Sequence, residues 1–151
     1  MAISVIPTPV VSTSDTWTLI ATNTPTSGTT STFSSLSGYK KYLLVGEAVT
    51  GTNGALRVTF NGSATNYISV IHNIAAETTF LIFTLNNTNV SGYMSIENVN
   101  NNGPKVTSGT DGNGYTPVSG IWNNTDPITS ITVTRTTAYT GGTLKLYGVA
   151  A

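Results

Sequence analysis

There is no cysteine among the 151 residues, so the chain has no disulfide framework, no thiolate nucleophile and no cysteine zinc site. Charge is nearly as scarce: six Lys+Arg balance six Asp+Glu, together 8% of the residues. Apart from Lys40-Lys41 the basic residues stand alone, so no stripe neutralises successive phosphates and nucleic acid is not an expected partner. The straight-chain helix formers are thin too, with three Glu, four Lys, two Arg and no Gln. The opening Met1-Ala-Ile-Ser-Val-Ile-Pro lacks the basic start and small-residue exit of a secretory leader, and no apolar stretch reaches membrane-spanning length. Synthesis in a cytoplasm, with no membrane partner, is the expectation.

What fills the chain instead is 29 Thr, 15 Ser, 15 Asn and 15 Gly. Threonine is β-branched and fits a pleated surface, while Asn and Gly supply the positive-φ positions of tight turns. Hydrophobic residues make up 38% and fall in short runs, which excludes a disordered polar tract. The expected class is all-β, and a chain of this size buries roughly 68–70% of its unfolded surface, enough for a core without staples.

Residues 1–14 contain Pro7 and Pro9, which forbid a central strand and predict an extended arm lying on the domain or on a neighbour. Residues 15–151 are read as one β-sandwich domain. Trp17 within Thr-Trp-Thr-Leu-Ile reads as a core anchor, and residues 22–32 as a loop or edge segment. Leu56-Arg-Val-Thr-Phe60 alternates with Leu56, Val58 and Phe60 on one face, and Asn61-Gly62 signals the turn after it. Tyr67 to Ile74 alternates as well, with Ile68, Val70, His72 and Ile74 opposite Tyr67, Ser69, Ile71 and Asn73. Phe80-Leu-Ile-Phe83 is apolar on both faces, which fits a sandwiched strand or a subunit contact. Tyr93–Val99 reads as a strand, 100–114 as a long Asn/Gly-rich loop, and Ile131–Arg135 and Gly142–Val149 as closing strands, with Leu144 and Leu146 inward and Lys145 and Tyr147 outward. Eight to ten short strands without a crossover helix predict a two-sheet antiparallel sandwich, jelly-roll-like, with an up-and-down barrel as the competitor.

No sequence pattern supplies a catalytic set. The lone histidine, His72, shares a face with apolar residues and reads as structural rather than as a general base. The six carboxylates, Asp15, Glu47, Glu77, Glu97, Asp111 and Asp126, are scattered, so a glycosidase pair would have to assemble across the fold. Asp111-Gly-Asn-Gly lacks the alternating acids and closing Glu of a calcium loop and reads as a turn. Asn-x-Ser/Thr triplets at Asn61, Asn86, Asn89 and Asn123 are about as many as chance supplies at this composition. Neither metal nor cofactor is expected. Trp122, flanked by Gly120 and Asn123-Asn124, has a loop-like setting that suits an indole stacking on a sugar ring, but core packing is the default reading for it as for Trp17.

The order of Trp17-Thr-Leu-Ile, Phe33-Ser-Ser-Leu-Ser-Gly-Tyr-Lys-Lys-Tyr-Leu-Leu-Val45, Leu56–Gly62, Ile128-Thr-Ser-Ile131 and Gly142–Val149 resembles small β-sandwich virion proteins of tailed bacteriophages: capsid decoration proteins, head fibres and tail-fibre tips. The resemblance implies a non-enzymatic homotrimer on the virion surface. No heptad or Gly-X-Y shaft precedes the sandwich, which favours a capsid decoration protein bound to the major capsid protein. On that reading Ile3, Val5, Ile6 and Val10 form the capsid-docking arm, and Phe80, Ile82 and Phe83 are trimer contacts. The alternative is a receptor-binding tail-fibre tip in which the 100–114 loop and Trp122 contact host surface glycans. A glycan-degrading enzyme is the third and weakest expectation.

Overall fold

The computed structural model describes residues 15–71, 74–79, 81–111 and 117–151. Within them the fold is all-β, as the Thr-rich, helix-poor composition predicts. Ten strands follow in order: β1 (Thr18–Asn23), β2 (Thr30–Phe33), β3 (Tyr39–Phe60), β4 (Tyr67–Ile71), β5 (Ile74–Glu77), β6 (Leu81–Glu97), β7 (Lys105–Asp111), β8 (Pro117–Trp122), β9 (Ile131–Arg135) and β10 (Tyr139–Ala150). They pair in the order β1-β10-β3-β6-β7-β8-β4-β5, with β9 joining β3 and β2 joining β9. Each of these ladders is antiparallel.

Two long strands turn this single ladder network into two layers. In β3 the first half pairs with β10, whereas Leu56–Phe60 pairs with β9. Between the halves, register slips separate Gly46 from Val49 and Thr50 from Gly54 against β6. Extra residues of this kind bend a strand and increase its twist. The runs Tyr42-Leu-Leu-Val45 and Leu56–Phe60 are therefore the two ends of one 22-residue strand. Likewise Leu81–Phe83 and Tyr93–Glu97 are two ends of the 17-residue β6. The result is sandwich-like: β2, β9 and the far half of β3 lie over the inner face of the larger layer.

The core lies between the layers. Leu44, Leu56, Val58, Phe60, Phe83, Ile96, Ile131, Val133, Leu144 and Leu146 are completely buried. Leu144 and Leu146 point inward and Lys145 and Tyr147 are half-buried on the other face, as their alternation predicts. Phe33 and Leu36 are buried in the same cluster, with Tyr39 packed against it. Near them the Phe60 ring meets Trp122 at 5.5 Å and Tyr67 at 6.2 Å, and Trp122 stacks on Tyr67 at 6.0 Å with 18° between planes. These aromatic pairs join β3, of the smaller layer, to β4 and β8 of the larger.

The Asn61-Gly62 turn forms as expected. Both residues have positive φ, 52° and 68°, and the Ser63 amide donates to the Phe60 carbonyl at 2.9 Å. Two positive φ values in a row are the twist that suits a tight hairpin, and Asn and Gly are the residues that adopt them at least cost. The Asn61 side chain also ties the turn to the segment before β9. Its Oδ1 accepts the Thr129 and Ser130 amides at 2.8 and 3.1 Å, and its Nδ2 donates to the Pro127 carbonyl at 2.8 Å.

Two expectations need correction. The stretch 100–114 is not one loop, because Lys105–Asp111 is strand β7, paired on both sides. Trp17 is not a core anchor; it is 40% exposed just before the edge strand β1. On β4 the two faces separate as the alternation predicts, with Tyr67 and Ser69 inward and Ile68 and Val70 outward.

Candidate functional site

The outer face of the larger layer carries the apolar groups that the core does not use. Register fixes which residues share a row. One row runs Leu19, Tyr147, Leu43, Ser95, Ser108, Ser119, Val70 across seven strands. The next runs Val149, Lys41, Glu97, Val106, Ile121, Ile68, although Val149 itself is buried. A third includes Lys145, Val45, Tyr93, Thr110 and Pro117.

Two apolar patches result. Ile68 and Val70 are each 48% exposed, Val106 43% and Ile121 37%, all on β4, β7 and β8. Leu19 and Tyr93 are 50% and 46% exposed on the other side, with Leu43, Val45 and Tyr147 half-buried between them. Small serines at 95, 108 and 119 separate the patches, and Ser119 with Gly120 helps form the floor of a shallow open groove walled by Ile68, Val70, Val106 and Ile121. Scattered exposed apolar residues are ordinary; here they are aligned in rows across neighbouring strands.

The charges on this face pair with one another. Lys41 Nζ lies 3.3 Å from both Asp15 Oδ2 and Glu97 Oε2, and Lys40 Nζ lies 2.8 Å from Asp15 Oδ1. The hydrogen bond from Lys40 holds the Asp15 carboxyl below its usual range, and the bond to Asp15 raises the Lys41 ammonium. Lys145 donates to Glu47 at 2.7 Å and is raised in turn. All four pairs are at the surface, so they position the chain more than they stabilise it.

The residues singled out from sequence fall in different places. Ile3, Val5, Ile6 and Val10, and with them His72 and Phe80, lie outside the described residues. Ile82 belongs to β6, and its side chain also lies outside the described set. Phe83 is completely buried inside the single chain, so it offers nothing to a subunit contact. Trp122 is the last residue of β8 rather than a loop residue, and at 1% exposure it has no face for a sugar ring.

Sequence reasoning passed over Lys105. This residue is completely buried, and its Nζ donates to the carbonyls of Asn101, Gly103 and Asn124 at 2.8, 2.9 and 3.0 Å. The ammonium lies 5.9 Å from the Trp122 ring centroid. Burial lowers its pKa, with the nearby Asp126 charge opposing. Three carbonyl acceptors satisfy the three donors of an ammonium, so Lys105 is a structural clamp between two loops.

No protein-family model, curated protein or solved structure matches the chain.

Proposed function

We propose that this is a non-enzymatic structural protein of a bacteriophage virion, a capsid decoration protein that binds the outer shell as a homotrimer and cements it. The jelly-roll assignment and the virion-surface location belong to the same proposal. The observation that carries it is the patch formed by Leu19, Leu43, Val45, Tyr93 and Tyr147 on the outer face of the larger layer. Apolar surface removed from water contributes about 25 cal/mol per Å², and a sheet face presents it without ordering any loop. A protein that binds only the assembled shell stabilises it by mass action.

The sparse charge fits the same role, since contacts built from hydroxyls, amides and apolar groups change little with the ionic strength of the medium. The test is the copy number of the protein in purified virions, measured by mass spectrometry against the major capsid protein, with the molar mass in solution from light scattering. A copy number comparable to the shell protein and the mass of three chains are the expected results. A few copies per particle would move the protein to the tail and revive the receptor-binding alternative, and absence from particles would overturn the proposal.

A further inference from the structure

We propose that Asn102 is a site of spontaneous covalent modification: its side-chain amide is lost through a cyclic imide that water reopens, and the isoaspartate product loosens the Lys105 clamp. The reaction needs no enzyme and does not depend on the virion reading.

An asparagine followed by glycine carries this chemistry. The Gly103 backbone nitrogen attacks Cγ of Asn102, the bond from Cγ to Nδ2 breaks, and the displaced nitrogen leaves as ammonia with the proton of the Gly103 amide. A five-membered succinimide remains, and water opens it at either carbonyl. Opening at Cγ returns the ordinary backbone with an aspartate side chain. Opening at the main-chain carbonyl routes the peptide link through Cβ and Cγ and leaves a free α-carboxylate. Glycine favours ring closure because no Cβ shields the attacking nitrogen and its backbone turns freely.

Four Asn-Gly pairs occur in the sequence, at Asn53, Asn61, Asn102 and Asn113, the last outside the described residues. The fold holds the other three very differently. Asn61 Oδ1 accepts the Thr129 amide, the Thr129 hydroxyl and the Ser130 amide at 2.8, 3.1 and 3.1 Å, and Nδ2 donates to the Pro127 carbonyl at 2.8 Å. Its Cγ cannot swing toward Gly62 without breaking all four bonds. Asn53 is exposed, but Gly54 is buried within β3, in register with Asn87 of β6 and crowded by the hydroxyls of Thr136 and Thr137. Asn102 escapes both restraints. It is exposed in the bend between β6 and β7, and its side chain makes no hydrogen bond among the described residues. Nothing lies within 4 Å of the position a Cβ would take on Gly103, so the ring has space to close.

The carbonyls on either side of Asn102 are two of the three acceptors of the buried Lys105 ammonium, Asn101 at 2.8 Å and Gly103 at 2.9 Å. Isoaspartate lengthens the backbone between them by one carbon, so the two carbonyls lose the spacing that grips Nζ together. An ordinary aspartate keeps that spacing and adds only an exposed carboxylate. The two products of one reaction therefore differ: the isoaspartate form is weakened and the aspartate form is not. Either product takes the formally neutral chain to a net negative charge.

The full-length protein is incubated folded in mildly alkaline buffer and, in parallel, unfolded in urea, with conversion at Asn53, Asn61 and Asn102 followed by peptide mass spectrometry with fragmentation. In the folded protein Asn102 is expected to convert at least about tenfold faster than Asn53 or Asn61, the ratio that a barrier difference of about 1.4 kcal/mol gives, and in urea the three rates converge. Gly103→Ala adds a Cβ in open space at a position without a left-handed φ. It is expected to keep the starting urea midpoint and to suppress conversion at Asn102. After incubation, the isoaspartate fraction separated by ion exchange is expected to unfold at lower urea than both Asn102→Asp and the equally incubated Gly103→Ala. Equal folded rates at Asn102 and Asn61, or an Asn102 that converts only in urea, would overturn the site. An isoaspartate fraction with the midpoint of Asn102→Asp would overturn its link to Lys105.

Discussion

Lys105 and Trp122 face each other across the β7–β8 ladder as register partners, and the lysine ammonium lies 5.9 Å from the indole centroid inside the fold. The same ammonium gathers three backbone carbonyls from the 98–104 and 123–127 connections. Lys105→Met keeps the length of the side chain and removes every donor, leaving those carbonyls without their charged partner. The expected loss is about 2–4 kcal/mol in urea unfolding, at the high end for bonds to a charged group. A loss below about 0.5 kcal/mol would show that water replaces the ammonium at no cost.

Tyr67 bonds back to the strand it packs against. Its hydroxyl accepts the Phe60 amide at 2.7 Å and lies 3.4 Å from the Phe60 and Ser63 carbonyls. Tyr67→Phe preserves the ring contacts with Phe60 and Trp122 and removes the acceptor. A destabilisation of about 1–3 kcal/mol is expected from the unsatisfied buried amide. Faster hydrogen exchange at Phe60 relative to Val58 is the local readout.

A turn glycine, Gly62, and a glycine at a register slip inside β10, Gly142, separate backbone strain from steric room. Gly142 has φ +96°, and a Cβ there would collide with the backbone of Ala48 and Val49. Gly62 has φ +68° with open space around it. Gly62→Ala is expected to cost only the left-handed penalty, about 1–2 kcal/mol. Gly142→Ala adds displacement of β3 at its bend and is expected to cost more, with lower thermal midpoints reporting the order. Equal midpoints for the two variants would show that β3 moves freely at Ala48.

Stability is expected to fall at alkaline pH. Burial raises the hydroxyls of Tyr42, Tyr67 and Tyr139 from 10 to about 12. The folded state therefore keeps protons that the unfolded chain has released, so stability is fully present below pH 10 and is lost as pH rises toward 12. Each unit of difference corresponds to about 1.4 kcal/mol per group. Lys105 acts with the opposite sign: burial lowers its pKa, so the penalty on its charged form is relieved as pH rises through the folded value toward 10.5. Three tyrosines outweigh one lysine, and urea midpoints measured between pH 9 and 12 are expected to fall. Unchanged midpoints would mean that these hydroxyls ionise in place.

The sequence made some of this legible for definite physical reasons. Alternation at Leu56, Val58 and Phe60 identified inward residues because the intervening Arg57 and Thr59 are polar. The same rule separated the two faces of β4 without choosing between them. Both carry large groups, and Tyr67 is the inward one, where its hydroxyl accepts the Phe60 amide. Trp122 read as a loop residue because Gly120 and two asparagines flank it, yet Gly120 is a close-packed strand position under Leu81. The Asn/Gly run before Lys105 hid both β7 and the clamp, whose signal was the alternation of Lys105, Thr107 and Gly109 with Val106, Ser108 and Thr110. The outer face was the least legible part. It exists only when register aligns residues from seven strands, and no local window contains it.

Strand β10 sits between β1 and the first half of β3 and pairs with both, so Leu19 and Leu43 share a row only through Tyr147. Joining Leu43 to Tyr147 closes a long loop before the contact returns any free energy. Pairings of such high sequence separation make folding slow, and until β10 inserts between them the β1 and β3 edges stay open to other strands.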